Sequence, residues 1–228
     1  MPGGFRSFWE PEAPRFATRV RAGEQLAERL ATRALTDPIV LGIPRGGLPV
    51  GVPIAQRLGC PLDAIVLRKV PVPWSPEMGY GAVTLDATRV MNAPLLRRLK
   101  LTPEEVDRDV ARVYEEVLRR DRIYREGRPF PPLQGRSVIL TDDGLATGYT
   151  MLAAVVFARK HQPQKVLVAV PVSSDTAAEL LRAAADDLIC LYVSEAPSFA
   201  VANFYEDFSD MTDEEVLQWL KRAREPGP

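Results

Sequence analysis

Short apolar runs alternate with amphipathic stretches along most of the chain. The apolar runs occupy residues 39–43, 64–67, 137–141, 165–170 and 188–193. Apolar residues at helical spacing occupy residues 16–34, 48–58, 102–126, 148–160, 173–185 and 212–220. Strands that alternate with helices in this way form right-handed βαβ units around a mainly parallel sheet that is covered on both faces. The pattern predicts an α/β fold with a Rossmann-like central sheet, whose ligands bind at the carboxyl ends of the strands.

Two of these helices begin with a recognisable capping sequence. Thr102-Pro103-Glu104-Glu105 and Thr212-Asp213-Glu214-Glu215 each place a glutamate three residues after a threonine, the arrangement of a capping box. The first sequence is followed by Val106, Val110, Val113 and Val117, which predicts a long helix to about residue 126 with one charged face in water.

The segment from Val70 to Gly81 interrupts the pattern. It contains three prolines and two glycines, which predicts a long flexible loop, and long loops in compact domains often serve as lids or binding loops. Residues 81–91 after it predict an edge hairpin.

Length and charge narrow the class of protein. A chain of 228 residues is suited to a single α/β domain, here predicted to span residues 1–228 with its core at about 36–195. Lys plus Arg number 29 and Asp plus Glu number 30, so no overall field attracts nucleic acid or an anionic membrane. No apolar run approaches the length of a membrane span. The two cysteines, Cys60 and Cys190, lack a metal-site spacing, which fits a reducing cytoplasm.

Candidate chemistry lies between residues 137 and 150. A buried strand, Val138-Ile139-Leu140-Thr141, leads into Asp142 and Asp143, and a small-residue loop follows where the next helix begins. Backbone N–H groups can converge on an anion at such a helix start, and Gly148 permits a close approach. Adjacent buried carboxylates need hydroxyl or cation partners. The alternative is an ordinary Asp-Gly turn between a strand and a helix.

The stretch VILTDDGLATGYT, residues 138–150, resembles the motif of type I phosphoribosyltransferases that binds 5-phosphoribosyl-1-pyrophosphate (PRPP). The resemblance implies the type I fold with a small hood, and Mg²⁺ as the cofactor. It implies that Asp142 and Asp143 are catalytic and contact the ribose hydroxyls, directly or through Mg²⁺. It assigns the 5′-phosphate to Ala146, Thr147, Gly148, Tyr149 and Thr150, although the family usually has a small residue in place of Tyr149.

Two further segments resemble the family's pyrophosphate site. Ile43-Pro44-Arg45-Gly46-Gly47 matches the loop in which a cis peptide turns backbone amides toward the diphosphate, and the matching cis bond here is predicted at Ile43–Pro44 because X–Pro cis bonds cost little. The resemblance makes Arg45 and Lys69 catalytic. It assigns pyrophosphate to Pro44, Arg45, Gly46, Arg68 and Lys69. Without the resemblance, residues 43–47 are interpreted as an ordinary strand-to-helix turn, and Arg68-Lys69 as a solvated strand end.

These features predict phosphoribosyl transfer from PRPP to a nitrogenous base or amine, in a cytoplasmic enzyme that binds no nucleic acid. In the family, 6-oxopurine members have an acid at the position of Ala146, which argues against hypoxanthine or guanine as the acceptor. The aromatic residues within 198–208 predict part of the core more readily than a base-stacking site. A non-catalytic PRPP sensor on the same fold is the main alternative, and the apolar helix faces also permit a homodimer.

Overall fold

The computed structural model describes residues 15–72, 75–196 and 198–224. In chain order the elements are α1 (Arg19–Leu30), β1 (Ile39–Gly42), α2 (Gly47–Leu58), β2 (Leu62–Ala64), β3 (Leu67–Val72), β4 (Ser75–Thr84), β5 (Arg89–Met91), α3 (Ala93–Leu99), α4 (Pro103–Arg125), β6 (Ser137–Thr141), α5 (Tyr149–Lys160), β7 (Lys165–Ser174), α6 (Asp175–Ala184), β8 (Asp187–Ser194), a 3-10 helix (Val201–Phe204) and α7 (Asp213–Arg222). Within those ranges, no helix is long and apolar enough to cross a bilayer.

The central sheet has five strands in the order β2-β1-β6-β7-β8, and all its pairings are parallel. Every residue of β1 and β6 is buried, because helices cover both faces of the sheet. The α/β fold predicted from the alternating pattern is confirmed. The order of the strands also brings the carboxyl ends of β1 and β6 side by side, with Gly42 opposite Thr141, so the two predicted ligand loops begin next to each other.

A second sheet forms where the sequence predicted a loop. Strands β3, β4 and β5 are antiparallel, so the loop prediction for residues 70–81 was wrong, while the edge hairpin over 81–91 is confirmed. Pro71 does not prevent strand formation, because it lies at an irregularity in the β3–β4 register, where a missing N–H is tolerated. Residues 73 and 74, inside the predicted loop, lie outside the described residues. The two faces of β3 differ: Val70 and Val72 pack with α4, and the alternate positions face the other way.

The helix caps agree with the sequence. In both capping boxes the threonine side chain and the glutamate side chain bond each other's backbone N–H, before α4 and before α7. The apolar run predicted at 64–67 is divided between two strands, since β2 ends at Ala64 and β3 begins at Leu67. The short helix α3, capped by Asn92, was not predicted.

The segment just before α1 and the segment around the 3-10 helix meet beside the central sheet. Phe204 and Tyr205 are buried with Phe16 and Val172, and Phe199 and Phe208 are partly buried against them. This packing supports the interpretation of the aromatic segment as core. Backbone bonds join the segments, because Phe16 N–H donates to the Phe204 carbonyl at 3.0 Å and Glu206 N–H donates to the Phe16 carbonyl at 2.9 Å.

A buried arginine connects the end of α4 to β2. Arg125 has a side chain only 6% exposed, and its guanidinium donates to Asp121 at 2.8 Å, to Asp63 at 2.9 Å and to the Ala64 carbonyl at 2.7 Å. The three bonds start from the three different nitrogens of the planar guanidinium, a spread that the single nitrogen of a lysine ammonium cannot reproduce.

We therefore expect Arg125→Lys to lower the free energy of unfolding by about 1–2 kcal/mol, because at least one charge-assisted hydrogen bond is lost in a buried site. Urea denaturation of the two proteins measures the difference. Arg122→Lys, on the exposed face of the same helix, is the matched control and should change stability by less than about 0.5 kcal/mol. Equal effects of the two substitutions would show that the buried network adds nothing.

Candidate functional site

The predicted phosphate loop follows β6 and leads into α5. It is fixed by the end of β7: Leu145 N–H donates to the Val172 carbonyl at 2.9 Å, and Ser174 N–H donates to the Leu145 carbonyl at 2.9 Å. The Ser174 hydroxyl also donates to the Ala146 carbonyl at 2.7 Å. Strand β7 is longer than the sequence predicted because its last residues pair with β8 on one side and with this loop on the other. The loop is therefore a supported part of the sheet edge.

The two helices that begin at the predicted ligand loops differ from the others at their N-termini. Helices α1, α3, α4, α6 and α7 are each capped by a side chain of Thr, Asn or Ser. Helices α2 and α5 begin after Gly46 and Gly148 and have no side-chain cap. The first N–H groups of a helix have no intrahelical acceptor and favour an anion. The start of α5 thus has no side-chain cap to compete with an anion. At the start of α2 the N–H groups of Gly47 and Leu48 already donate to the Ile43 and Arg45 carbonyls, at 2.9 and 3.3 Å.

A cleft of about 180 Å³ lies over the start of α5. It brings together residues from the loop, from the second sheet and from the aromatic segment. Its lining consists of Lys69, Gly79, Gly81, Asp142, Gly144, Leu145, Ala146, Thr147, Gly148, Tyr149, Thr150, Met151 and Val201. All five residues predicted to hold the 5′-phosphate therefore share one cleft with Lys69 and Asp142. Tyr149, the residue that departs from the family pattern, is half-buried and lines the cleft as well.

Gly148 is required by both backbone and space. Its φ of +76° lies in the left-handed region that favours glycine. A Cβ added there would lie 2.9 Å from a methyl carbon of Leu181 and 3.2 Å from the Cβ of Ala177, both on α6. The start of α5 therefore packs directly on α6, and no other residue type fits without a shift.

The two adjacent acids have different surroundings. Asp142 lines the cleft, and its Oδ1 accepts a hydrogen bond from the Asp143 N–H at 2.9 Å. Burial, together with the neighbouring Asp143 charge, raises the pKa of Asp142 well above its usual value. Asp143 Oδ2 instead accepts from Arg19 Nε at 2.9 Å. Burial raises the pKa of Asp143 as well, while the Arg19 charge opposes that shift.

A divalent cation fits the chemistry of this donor set. Mg²⁺ binds through one or two carboxylates and completes its coordination with substrate oxygens and water. Within the ranges that the structure describes, no group of three or more acidic, histidine or cysteine residues is arranged to hold a metal on its own. Asp142 and Asp143 would therefore hold Mg²⁺ together with oxygens from substrate and water.

The residues predicted to bind pyrophosphate do not all line one cleft. Arg45 is exposed and donates to the Met211 carbonyl, and Arg68 pairs with Glu116 on α4. Because successive residues of a strand face opposite sides, Arg68 is directed to α4 and Lys69 to the cleft. Of the basic residues predicted for the site, only Lys69 lines the cleft described above.

The loop between β1 and α2 contains a cis peptide, but one bond later than predicted. The cis bond joins Pro44 and Arg45, so the prediction of a cis Ile43–Pro44 bond was wrong. That prediction weighed only the low cost of a cis bond before proline, whereas the conformation of a loop depends on the whole turn from strand to helix. The turn packs on the acid pair, because a Cβ on Gly46 would overlap Asp143 Oδ2.

Two contacts of the acid pair were missed by sequence reasoning. Arg19, the first residue of α1, pairs with the Asp143 carboxylate, and the Tyr205 hydroxyl donates to the Asp143 carbonyl at 2.6 Å. These residues are separated from Asp143 by 124 and 62 positions, and neither belongs to a motif. No local pattern could have found them.

The parallel sheet, the acid pair at a strand end and the uncapped helix start are typical of the class of α/β proteins whose ligand sites lie at the carboxyl ends of the strands. Within that class the chain belongs to the phosphoribosyl transferase domain family, whose model matches residues 18–204. The family resemblance inferred from residues 138–150 is thereby confirmed.

Relatives agree with this assignment. The chain is 40% identical over 208 residues to the Mycobacterium tuberculosis H37Rv protein named "Putative phosphoribosyl transferase Rv0571c", and the match covers 91% of the chain and 47% of that protein. The chain thus spans about half the length of the curated relatives it matches. The crystal structure of TT1426 from Thermus thermophilus is 41% identical, with a TM-score of 0.75, and covers 90% of this chain and 97% of its own. AQ2163 from Aquifex aeolicus, at 14% identity and a TM-score of 0.50, shares the fold over 77% of this chain and 74% of its own.

Proposed function

We propose that the cleft binds PRPP with Mg²⁺ and that the protein transfers the phosphoribosyl group to a nitrogenous base or amine, with release of pyrophosphate. The observation that carries the proposal is the cleft itself, which joins an uncapped helix start, the half-buried carboxylate of Asp142 and a lysine. A phosphorylated sugar bears an anion, hydroxyls and a second anion, and these three features match the three parts of the cleft.

Each part of the substrate has a candidate partner. The 5′-phosphate would accept hydrogen bonds at the start of α5, from residues 146–150, where the helix dipole favours negative charge. The ribose hydroxyls would donate to the carboxylate of Asp142 and be held by the acid pair. Lys69 would face the phosphate groups, and the loop of Pro44, Arg45 and Gly46 just before α2 would receive the diphosphate. Mg²⁺ would be held by the acid pair and would neutralise charge on the leaving diphosphate.

The reaction breaks the bond between ribose C1 and the diphosphate oxygen and forms a bond between C1 and the acceptor nitrogen. The electron pair of the broken bond leaves with pyrophosphate, and the acceptor nitrogen loses a proton. Positive charge develops on the ribose between these events, so carboxylates beside the ring stabilise it and exclusion of water prevents hydrolysis. The protein's part in the reaction is therefore to position both substrates and to balance charge.

A PRPP sensor is the second candidate, and one observation favours it. Arg45 and Arg68 are engaged with Met211 and Glu116, so Lys69 is the one basic side chain of the predicted set that lines the cleft and could balance charge on a departing pyrophosphate. A sensor would need to hold PRPP but not to stabilise a departing pyrophosphate.

We expect pyrophosphate release from PRPP and Mg²⁺ in the presence of the right acceptor, measured by a coupled assay over a panel of purine and pyrimidine bases and small amines. Calorimetric titration of PRPP on the same preparation gives binding independently. Release with one acceptor identifies the enzyme and its substrate class. Binding without release throughout the panel favours the sensor, and absence of binding contradicts the proposal. Omission of Mg²⁺, with EDTA present, is the control and should weaken binding strongly.

A further inference from the structure

Asp143 connects the phosphate loop to α1 and to the segment just after the 3-10 helix. Its carboxylate accepts from Arg19 Nε at 2.9 Å, and its carbonyl accepts from the Tyr205 hydroxyl at 2.6 Å. The side chains of Arg19 and Asp143 are only 12% and 17% exposed, so water competes little for this ion pair. Asp143 does not line the cleft, whereas Asp142 does.

Arg19 is itself held in place by the segment after the 3-10 helix. Its guanidinium carbon lies 3.9 Å from the centre of the Phe208 ring, and its Nη1 donates to the Ser209 carbonyl at 3.1 Å. The guanidinium is thus stacked, hydrogen-bonded and ion-paired at once, an arrangement that fixes both its position and its orientation.

The contacts that fix Asp143 also restrict the side chain of Asp142. The Asp143 N–H donates to Asp142 Oδ1, so the peptide that Arg19 and Tyr205 hold in place also holds the cleft-lining carboxylate. Gly46 packs against the other side of the Asp143 carboxylate, since a Cβ on Gly46 would overlap Oδ2. The Asp143 side chain is therefore enclosed between α1 and the loop before α2.

We propose that Arg19 is a positioning residue: its ion pair with Asp143 aligns the acid pair with the substrate's ribose and metal. The same pair anchors the phosphate loop to α1 and, through Arg19, to residues 204–209. The part of this inference that concerns PRPP rests on the proposed function.

A double-mutant cycle tests the inference. Arg19→Gln, Asp143→Asn and the double variant are compared with the unmodified protein by three measurements: affinity for PRPP with Mg²⁺, affinity for inorganic phosphate, and unfolding temperature without ligand. Arg19→Lys tests rescue by a conservative change. Arg21→Gln is the matched control, because Arg21 is on the same helix and its ion pair with Glu24 is exposed.

We expect each single substitution to weaken PRPP binding about tenfold, since a buried charge-assisted bond is lost, and the double variant to be no weaker than either. Inorganic phosphate should bind within about threefold of the unmodified protein, because the start of α5 is untouched; general loosening of the fold would reduce both affinities. Arg19→Lys should restore part of the PRPP affinity.

Two results would overturn the inference. One is PRPP affinity that Arg19→Gln leaves unchanged. The other is a double variant whose loss equals the product of the single losses, as expected if Arg19 and Asp143 act independently of each other. If the unmodified protein binds no PRPP, the proposed function fails, and the cycle is then read from the unfolding temperatures. Shifts that do not add would support the pair, and additive shifts would refute it.

Discussion

Replacement of Asp142 by asparagine is expected to weaken the binding of PRPP and Mg²⁺ at least about a hundredfold, or about 3 kcal/mol. Asp142 is the acid that lines the cleft, and asparagine keeps its shape while removing its charge. The loss combines a ligand of the cation with the acceptor of a ribose hydroxyl, and bonds to ionised groups are the stronger ones. Isothermal titration calorimetry at a fixed Mg²⁺ concentration measures it.

The same substitution should leave the unfolding temperature unchanged or higher. Burial and the adjacent Asp143 charge raise the pKa of Asp142, which means that the ionised form is disfavoured in the folded protein. Removal of one of two neighbouring acids relieves that repulsion. Asp210→Asn, at an exposed acid outside the cleft, is the control and should change neither quantity. PRPP affinity that is unaffected by Asp142→Asn would exclude this acid from the ligand site.

The sequence predicted those parts of the site that are contiguous in the chain. Residues 138–150 form strand, acid pair, loop and helix start in the predicted order, because each step depends on neighbours within a few positions. The alternating pattern predicted a parallel sheet but not the order of its strands, and the pairing of β1 with β6, which brings the second predicted loop beside the first, comes from the tertiary structure. Local chemistry was sufficient for the loop, and the rules of parallel sheets for the direction of the strands.

The parts that failed depend on contacts between distant positions. The prolines of residues 70–81 indicate a loop when each is taken alone, yet the packing of Val70, Val72 and Tyr80 on α4 stabilises strands there and accommodates Pro71 at an irregular register. Arg68 and Lys69 are adjacent in the sequence, but the strand directs them to opposite faces. The role of Arg19 could not be predicted either, because only the tertiary structure brings α1 to the acid pair.

Replacement of Gly148 by alanine should both destabilise the fold and abolish phosphate binding. Alanine at a φ of +76° costs about 1 kcal/mol, and the new Cβ, 2.9 Å from Leu181, adds about 1–3 kcal/mol as α5 and α6 are forced apart. Because that movement displaces the N–H groups at the start of α5, affinity for inorganic phosphate should be lost together with affinity for PRPP.

Gly59→Ala separates the two contributions. Gly59 also has a positive φ, +60°, at the end of α2, but a Cβ there meets nothing within 4 Å. Gly59→Ala should therefore lower the free energy of unfolding only by the cost of the strained backbone, about 1 kcal/mol in urea denaturation. It should bind phosphate normally. If the two alanine variants lose equal stability, the contact between the start of α5 and α6 does not constrain the loop. If Gly148→Ala is destabilised but still binds phosphate, the anion is held by side chains such as Lys69, and the helix start is not the phosphate site.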